Sequence, residues 1–162
     1  MLFKPLIFSN LPSSLAALKP DSSELHYRYD EAGNRIGLTF TDSQGTVQLD
    51  QSFGYDSLNR LITVTDASGT TSYGYDLVGN RTSVSYGNGT STTYDYDNLN
   101  RLTRVAHYNG SGALMQSYDY SLGASGRREQ ISESSGRVTD YSYDDLYRLT
   151  NEQITDAING NY

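Results

Sequence analysis

The side chains best equipped for chemistry in this sequence are aspartates, arginines and tyrosines that recur together. Asp30, Asp56, Asp76, Asp97 and Asp144 each follow a tyrosine (Tyr29, Tyr55, Tyr75, Tyr96 and Tyr143). Each is followed within a few residues by an arginine: Arg35, Arg60, Arg81, Arg101 and Arg148. A carboxylate and a guanidinium beside an aromatic ring are the elements of a sugar-binding site, or of an acid–base pair. The recurrence argues for architecture instead, because an active site needs one cluster unlike the rest, whereas a residue placed once per segment serves the segment. An Asp that caps a turn, with an Arg paired across the hairpin or lying on a ring, satisfies the pattern, and such exposed pairs contribute about 0–1 kcal/mol each.

Other routes to catalysis are poorly represented. There are only two histidines, His26 and His107, far apart and each beside Tyr, and both read as ordinary strand residues. Nucleophile-elbow, phosphate-loop and HExxH patterns are missing. With no Cys there is no thiolate site, and neither the EF-hand loop nor the glycine-rich calcium nonapeptide occurs. The sequence therefore points to no catalytic residue, no metal and no cofactor.

Composition narrows the class further. Leu, Ile, Val and Phe total 33 of 162 residues, a poverty at which disorder competes with folding. Fifteen Tyr offset it, since each ring has a large apolar body and a tip that tolerates water. A fold of half-buried rings without a thick aliphatic core is expected. The net charge of −7 disfavours nucleic acid as a partner, because no basic stripe is available to meet phosphates. No run approaches the length of a membrane span. Lys4 and Pro5 interrupt the apolar start, so it does not read as a secretory signal. The lack of Cys leaves the compartment open.

The elements that position the Asp–Arg set follow from the repeat. Near-copies are Tyr29-Asp-Glu-Ala-Gly-Asn-Arg35, Tyr55-Asp-Ser-Leu-Asn-Arg60, Tyr75-Asp-Leu-Val-Gly-Asn-Arg81, Tyr96-Asp-Asn-Leu-Asn-Arg101 and Tyr143-Asp-Asp-Leu-Tyr-Arg148. A degraded copy starts at Tyr120 and reaches Arg127 and Arg128 after extra Ser and Gly. Asp at the first turn position accepts from the backbone. Gly33 and Gly79, or Asn59 and Asn100, then supply the left-handed conformation of a type I turn with a bulge. Tyr147 is a poor occupant of that position, so its turn should differ or be strained.

A second series falls midway: Asp42 to Gly45, Asp66 to Gly69, Asn109 to Gly112, Glu133 to Gly136, and Tyr86 to Gly89 as a shorter relative. Runs of strand length remain between turns, and aromatic-x-Tyr pairs such as Phe53/Tyr55 and Tyr94/Tyr96 place two rings on one face of a strand. The array, residues 25–162, is read as all-β: tandem antiparallel hairpins in a curved, open sheet or part of a shell. Residues 1–24 stand apart as a lead-in. Leu11 to Lys19 fit either a short helix between Pro12 and Pro20 or an apolar strand or plug against the first hairpins. Asn159-Gly160 signals a turn just before the end, as if the array were cut mid-repeat.

The Tyr-Asp-x-x-Gly-Asn-Arg and Tyr-Asp-x-Leu-Asn-Arg-Leu units resemble the YD repeats of bacterial Rhs proteins, of Tc-toxin shell subunits and of teneurins. The resemblance covers residues 25–162. It implies a hollow β-shell that encloses a toxic domain in bacterial members and supports cell contact in teneurins. The self-cleaving region of many Rhs proteins has no counterpart here, and a chain this short would make only an arc of wall. The implied function is a wall segment of a secreted or surface-delivered shell, not an enzyme. The rival is an adhesion module that uses its tyrosines to bind glycan or protein. The expected partners are other YD segments or further copies, meeting at open edges near Leu25–Tyr29 and Leu149–Thr155 unless residues 1–24 fold over the first.

Overall fold

The computed structural model describes residues 14–18, 22–156 and 160–161. Its described residues contain fourteen strands and no helix. Two compact units divide the chain, residues 1–70 and 71–162.

The first unit holds β1 (Ser14–Leu18), β2 (Glu24–Tyr29), β3 (Arg35–Thr41), β4 (Val47–Tyr55) and β5 (Leu61–Asp66), each antiparallel to the next. Of the two readings of residues 11–19, the helix is overturned at 14–18. This short run forms a strand that pairs Leu15 with Tyr27 and Ala17 with Leu25. Backbone groups that a lone helical turn would leave unpaired find partners on β2. The first edge strand among the described residues is thus β1 and not Leu25–Tyr29.

The division between units falls inside β6 (Gly69–Tyr75). The second unit continues with β7 (Arg81–Ser85), β8 (Ser91–Tyr96), β9 (Leu102–Tyr108), β10 (Leu114–Leu122), β11 (Arg128–Glu133), β12 (Val138–Tyr143), β13 (Leu149–Asp156) and β14 (Gly160–Asn161). From β6 to β14 every strand pairs antiparallel with the next in sequence.

Registers sort the side chains, because residues directly opposite in an antiparallel pair share a face. Across the second unit one ladder runs Tyr73, Val84, Thr92, His107, and another runs Tyr94, Val105, Tyr118, Glu133. The opposite face carries Gly74, Ser83, Thr93, Ala106, Ser117 and, farther along, Asp95, Arg104, Asp119, Ser132. The first unit divides alike: Tyr27, Leu38 and Gln51 on one face, His26, Thr39 and Asp50 on the other. Each unit therefore has a ring face and a hydroxyl face.

Burial is thin. Val84 and Ala106 are the buried apolar side chains among the described residues, and the ring-face tyrosines of the strands are half-buried. A single layer of sheet gives each ring neighbours beside it, and the broad apolar body of Tyr serves where a Leu would find too little cover.

Candidate functional site

Within each unit the Asp–Arg repeats lie at the turns along one end of the strands. Each closes with the same two backbone bonds. The Asp97 N–H donates to the Arg101 carbonyl at 3.0 Å and the Asn100 N–H to the Asp97 carbonyl at 2.9 Å. The residue between them that must turn left-handed is Gly33 (φ 85°), Asn59 (58°), Gly79 (99°), Asn100 (60°) or Tyr147 (68°). This is a type I turn followed by a left-handed residue, with the register shift of a bulge in the adjoining strands. Tyr147 makes the same bonds as its counterparts, Asp144 N–H to the Arg148 carbonyl at 3.0 Å, so the turn does not differ; it is strained.

The carboxylates complete the turns from inside. One Asp97 oxygen accepts from the backbone N–H groups of Leu99 (2.9 Å) and Arg101 (3.0 Å). The other oxygen separates the repeats into two kinds. In two turns it accepts from an asparagine amide: Asn34 to Asp30 at 3.0 Å and Asn80 to Asp76 at 2.8 Å. In three it accepts from an arginine Nε: Arg60 to Asp56 at 2.7 Å, Arg101 to Asp97 at 2.6 Å and Arg148 to Asp144 at 2.7 Å. We call these Asn-locked and Arg-locked turns.

These bonds hold the carboxylates ionised. Asp97, Asp56 and Asp144 titrate below the usual carboxylate range, chiefly because the backbone N–H of the locking Arg donates to them. The Asn34 amide does the same for Asp30. At Asp76 desolvation is the largest influence and acts upward, but the Asn80 amide and backbone donors together outweigh it.

Where Asn locks the turn, the following Arg is released to the neighbouring hairpin. Arg35 lies 4.7 Å from the Phe53 ring centre, and Arg81 lies 4.7 Å from that of Tyr94. The neighbour answers through its tyrosine hydroxyl: Tyr55 donates to the Arg35 carbonyl at 3.0 Å and Tyr96 to the Arg81 carbonyl at 3.0 Å. The Asn34 amide also reaches Asn59 at 2.8 Å and that of Asn80 reaches Asn100 at 2.9 Å, so adjacent turns are stitched side by side. An Asn-locked turn therefore docks on the Arg-locked turn that follows it.

The copy that begins at Tyr120 is regular once its opener is found. Its turn runs from Gly123 to Gly126, with Gly126 N–H to the Gly123 carbonyl at 2.9 Å and φ 82° at Gly126. β10 extends to Leu122, so the extra residues lengthen the strand rather than the turn. The Tyr143 hydroxyl donates to the Arg128 carbonyl at 2.8 Å, which gives this turn the Asn-locked place in the alternation. Its Arg127 sits 3.9 Å from the Tyr147 ring centre, and Arg128 sits 4.5 Å from that of Tyr120.

Sequence reasoning named the tyrosines, aspartates and arginines but missed Asn34, Asn80 and Gly123. The signal for the first two is the residue after the left-handed position, Asn in one spelling of the repeat and Arg in the other. Tyr86 to Gly89, read as shorter, makes the full turn, with Tyr86 N–H to the Thr90 carbonyl at 2.9 Å. His107 accepts or donates at Thr92 Oγ1 (3.0 Å) and meets the Tyr118 ring edge-on, while His26 stands 3.5 Å from Glu24. No group of three or more His, Cys, Asp or Glu suited to a metal occurs among the described residues.

The RHS Repeat family model matches residues 38–71, 55–91 and 75–113. Residues 38–113 carry RHS repeats. Among solved structures, the RHS-repeat chain is similar to a chain of TcdB2-TccC3-TEV, at TM-score 0.66 and 19% identity over 80% of its length. It is also similar to TcdB2-TccC3-Cdc42 (TM-score 0.57, 17% identity, 85% of this chain). A third likeness is to the Tc holotoxin pore of Photorhabdus luminescens (TM-score 0.55, 18% identity, 89% of this chain). At these identities the likeness is one of fold. The chain spans 7%, 9% and 10% of those three chains. No curated protein matches the sequence.

Proposed function

We propose that this RHS-repeat protein is a structural wall segment of a β-shell that encloses a toxin or other polypeptide, without catalytic activity of its own. The observation that carries the reading is the direction of the repeat chemistry. Asp, Asn, Arg and Tyr of each hairpin bond to their own turn or to the next hairpin, which is what a load-sharing sheet requires and what a substrate site does not. The fold likeness to chains of Tc toxin assemblies supports a secreted or surface-delivered location. Partners are other YD segments, copies of the chain meeting at open edges, and the enclosed polypeptide, with nucleic acid not among them; no helix among the described residues is long and apolar enough to cross a membrane.

The test is isolation of the native protein followed by proteolysis. A wall segment is recovered in a large particle that shields a second polypeptide from protease until the particle is denatured. Recovery as a lone monomer with nothing shielded would overturn the reading. A second reading, an adhesion module for glycan or protein, draws on the half-exposed rings of one face with guanidinium groups over Phe53 and Tyr94. Saturable binding of soluble glycan by the lone species, abolished by Tyr94→Ala, would favour it.

A further inference from the structure

Two Asn-Gly pairs of the second unit lie in the turns midway between the Tyr-Asp repeats: Asn88-Gly89 and Asn109-Gly110. The side-chain amide of an asparagine is an acyl group held next to a nucleophile, the backbone nitrogen of the following residue. Glycine at that following position has no Cβ to obstruct the approach. The two pairs hold the same reactants, and the fold treats them differently.

Asn109 opens its turn. Its Oδ1 accepts from the Ser111 N–H at 3.0 Å, the Ser111 hydroxyl at 2.7 Å and the Ala113 N–H at 2.9 Å. Three donors aimed at one carbonyl oxygen stabilise the oxyanion of a tetrahedral acyl intermediate. Among the described residues no hydrogen bond engages the Gly110 N–H, and Gly110 is exposed, so hydroxide reaches it. The Asn109 Nδ2, which would leave, is equally unengaged among the described residues.

Asn88 stands inside its turn. Its Oδ1 has two donors, the Thr90 N–H at 3.0 Å and the Thr90 hydroxyl at 2.7 Å. Its nucleophile is committed, because the Gly89 N–H donates to the Tyr86 carbonyl at 2.9 Å in the bond that closes the turn. Asn34, Asn59, Asn80 and Asn100 each precede an arginine, whose side chain crowds the nitrogen. The amide nitrogens of Asn34 and Asn80 are also spent on Asp30 and Asp76.

We propose that Asn109 is a self-modifying residue, which closes on Gly110 in the folded protein and becomes aspartate or isoaspartate while Asn88 is spared. The Gly110 nitrogen bonds to Cγ of Asn109 and gives its proton to hydroxide. The Cγ–Nδ2 bond breaks, and the nitrogen takes a proton from water and leaves as ammonia. Water then adds to either carbonyl of the succinimide ring and reopens it. The aspartyl product suits the turn, since Asp42 opens its own turn with a carboxylate that accepts from the Gln44 and Thr46 N–H groups, both at 2.9 Å. The isoaspartyl product does not. Its main chain runs through the side chain and gains a methylene where two tips meet closely: a Cβ on Gly89 would lie 3.3 Å from Gly110 Cα.

The test ages the full chain in mildly alkaline buffer at constant pH, folded and separately in denaturant. Peptide mapping by mass spectrometry follows loss of the amide at each asparagine. In denaturant the two pairs, both followed by a hydroxyl residue, should react at equal rates. In the folded protein Asn109 should react about tenfold faster than Asn88, the rate equivalent of the hydrogen bond that Gly89 must first give up. Ser111→Ala removes one of the three donors and should slow Asn109 in the fold but not in denaturant, with circular dichroism checking that the strands are kept. If that variant does not fold, the ratio in the unaltered protein decides alone. Equal rates in the fold, a faster Asn88, or an Asn109 that survives in the fold while Asn88 reacts overturns the proposal. An unchanged folded rate in Ser111→Ala does the same.

Discussion

Within each unit the strands are joined at both ends by turns, those at one end built on the Tyr-Asp repeat and those at the other midway between. The backbone treats them alike except at Asp66 to Gly69, where Ala67 and Ser68 alone join the strands and Gly69 has φ 122°. Gly79 and Gly112 both turn left-handed, at φ 99° and 79°, and Asn109 N–H meets the Ala113 carbonyl at 3.0 Å as Asp97 N–H meets that of Arg101. The tips differ. On the midway row they are Ser43-Gln44, Gly87-Asn88, Gly110-Ser111 and Ser134-Ser135, all small or polar. The repeat row exposes Leu58, Leu77, Val78, Leu99 and Leu146. The openers differ in their locks: five of the repeat-row turns open on an Asp held by Asn or Arg, while the midway row mixes Asp42, Asp66 and Glu133 with Tyr86 and Asn109. Backbone geometry thus sets where the chain reverses, and side chains decide which row ties hairpins together.

The largest expected effect comes from acid and falls mainly on the repeat row. Asp30, Asp56, Asp76, Asp97 and Asp144 titrate below their ordinary value of 3.8 in the folded protein. Near that pH the unfolded chain binds more protons, so the stability they contribute is complete above it and is lost as pH falls through the folded values. Melting temperature should be level from neutral pH to about 5 and drop steeply below about 4, followed by circular dichroism. Asp42, opening a midway turn, is lowered as well, first by the Thr46 backbone N–H, and adds to the same trend. A flat profile into strong acid would show that the carboxylate locks contribute nothing.

Next in size are the left-handed glycines, where the two rows should agree. A Cβ at Gly79 or at Gly112 meets nothing within 4 Å, so the cost of Gly79→Val and Gly112→Val is conformational alone, about 1–2 kcal/mol for each. Denaturant titrations giving costs that differ widely between the two would break the equivalence of the backbones. Leu77→Val, inside the same turn as Gly79, should cost less.

The openers should separate the rows. Asp97→Ala removes an anchor for two backbone N–H groups and for Arg101, which also reaches Gly123, while Asn109→Ala removes bonds to Ser111 and Ala113 only. Thermal melts should rank Asp97→Ala as the more damaging, and the reverse order would contradict the stitching role of the repeat row. Smaller still is Tyr147→Asn. It relieves a bulky residue at φ 68° and gives up the Arg127 contact, so a net gain of under about 1 kcal/mol is expected from the same melts. At the bottom of the scale, Leu99→Ser on its exposed tip should change stability by no more than about 0.5 kcal/mol.

The hairpins were legible because their signals are local. An Asp that accepts from residues two and four ahead, and a Gly or Asn that turns left-handed, act within one turn and leave their mark in one short stretch of sequence. The ring face was legible for the same reason, as alternation within a strand. The Gly123 turn was not, because its opener has no side chain to announce it and Leu122 holds the position where other copies carry Tyr. Strand β1 was equally hard to read, since Ser14 to Leu18 suit helix or strand and only pairing with β2 decides. The asparagine stitches escaped because Asn34 and Asn59 are neighbours in space alone. The exposed leucines stood in plain view at turn positions, but their contrast with the polar row emerges only once both rows are known to lie at opposite ends of the same strands.

The alternation of Asn-locked and Arg-locked turns gives the array a parity. Loss or duplication of a single hairpin sets like against like: two Arg-locked turns would stand side by side without the amide that bridges Asn80 to Asn100, and two Asn-locked turns without the guanidinium that ties Arg101 to Gly123. Gain or loss of hairpins in pairs leaves every junction matched. An array built this way is expected to tolerate the gain or loss of hairpins in even steps.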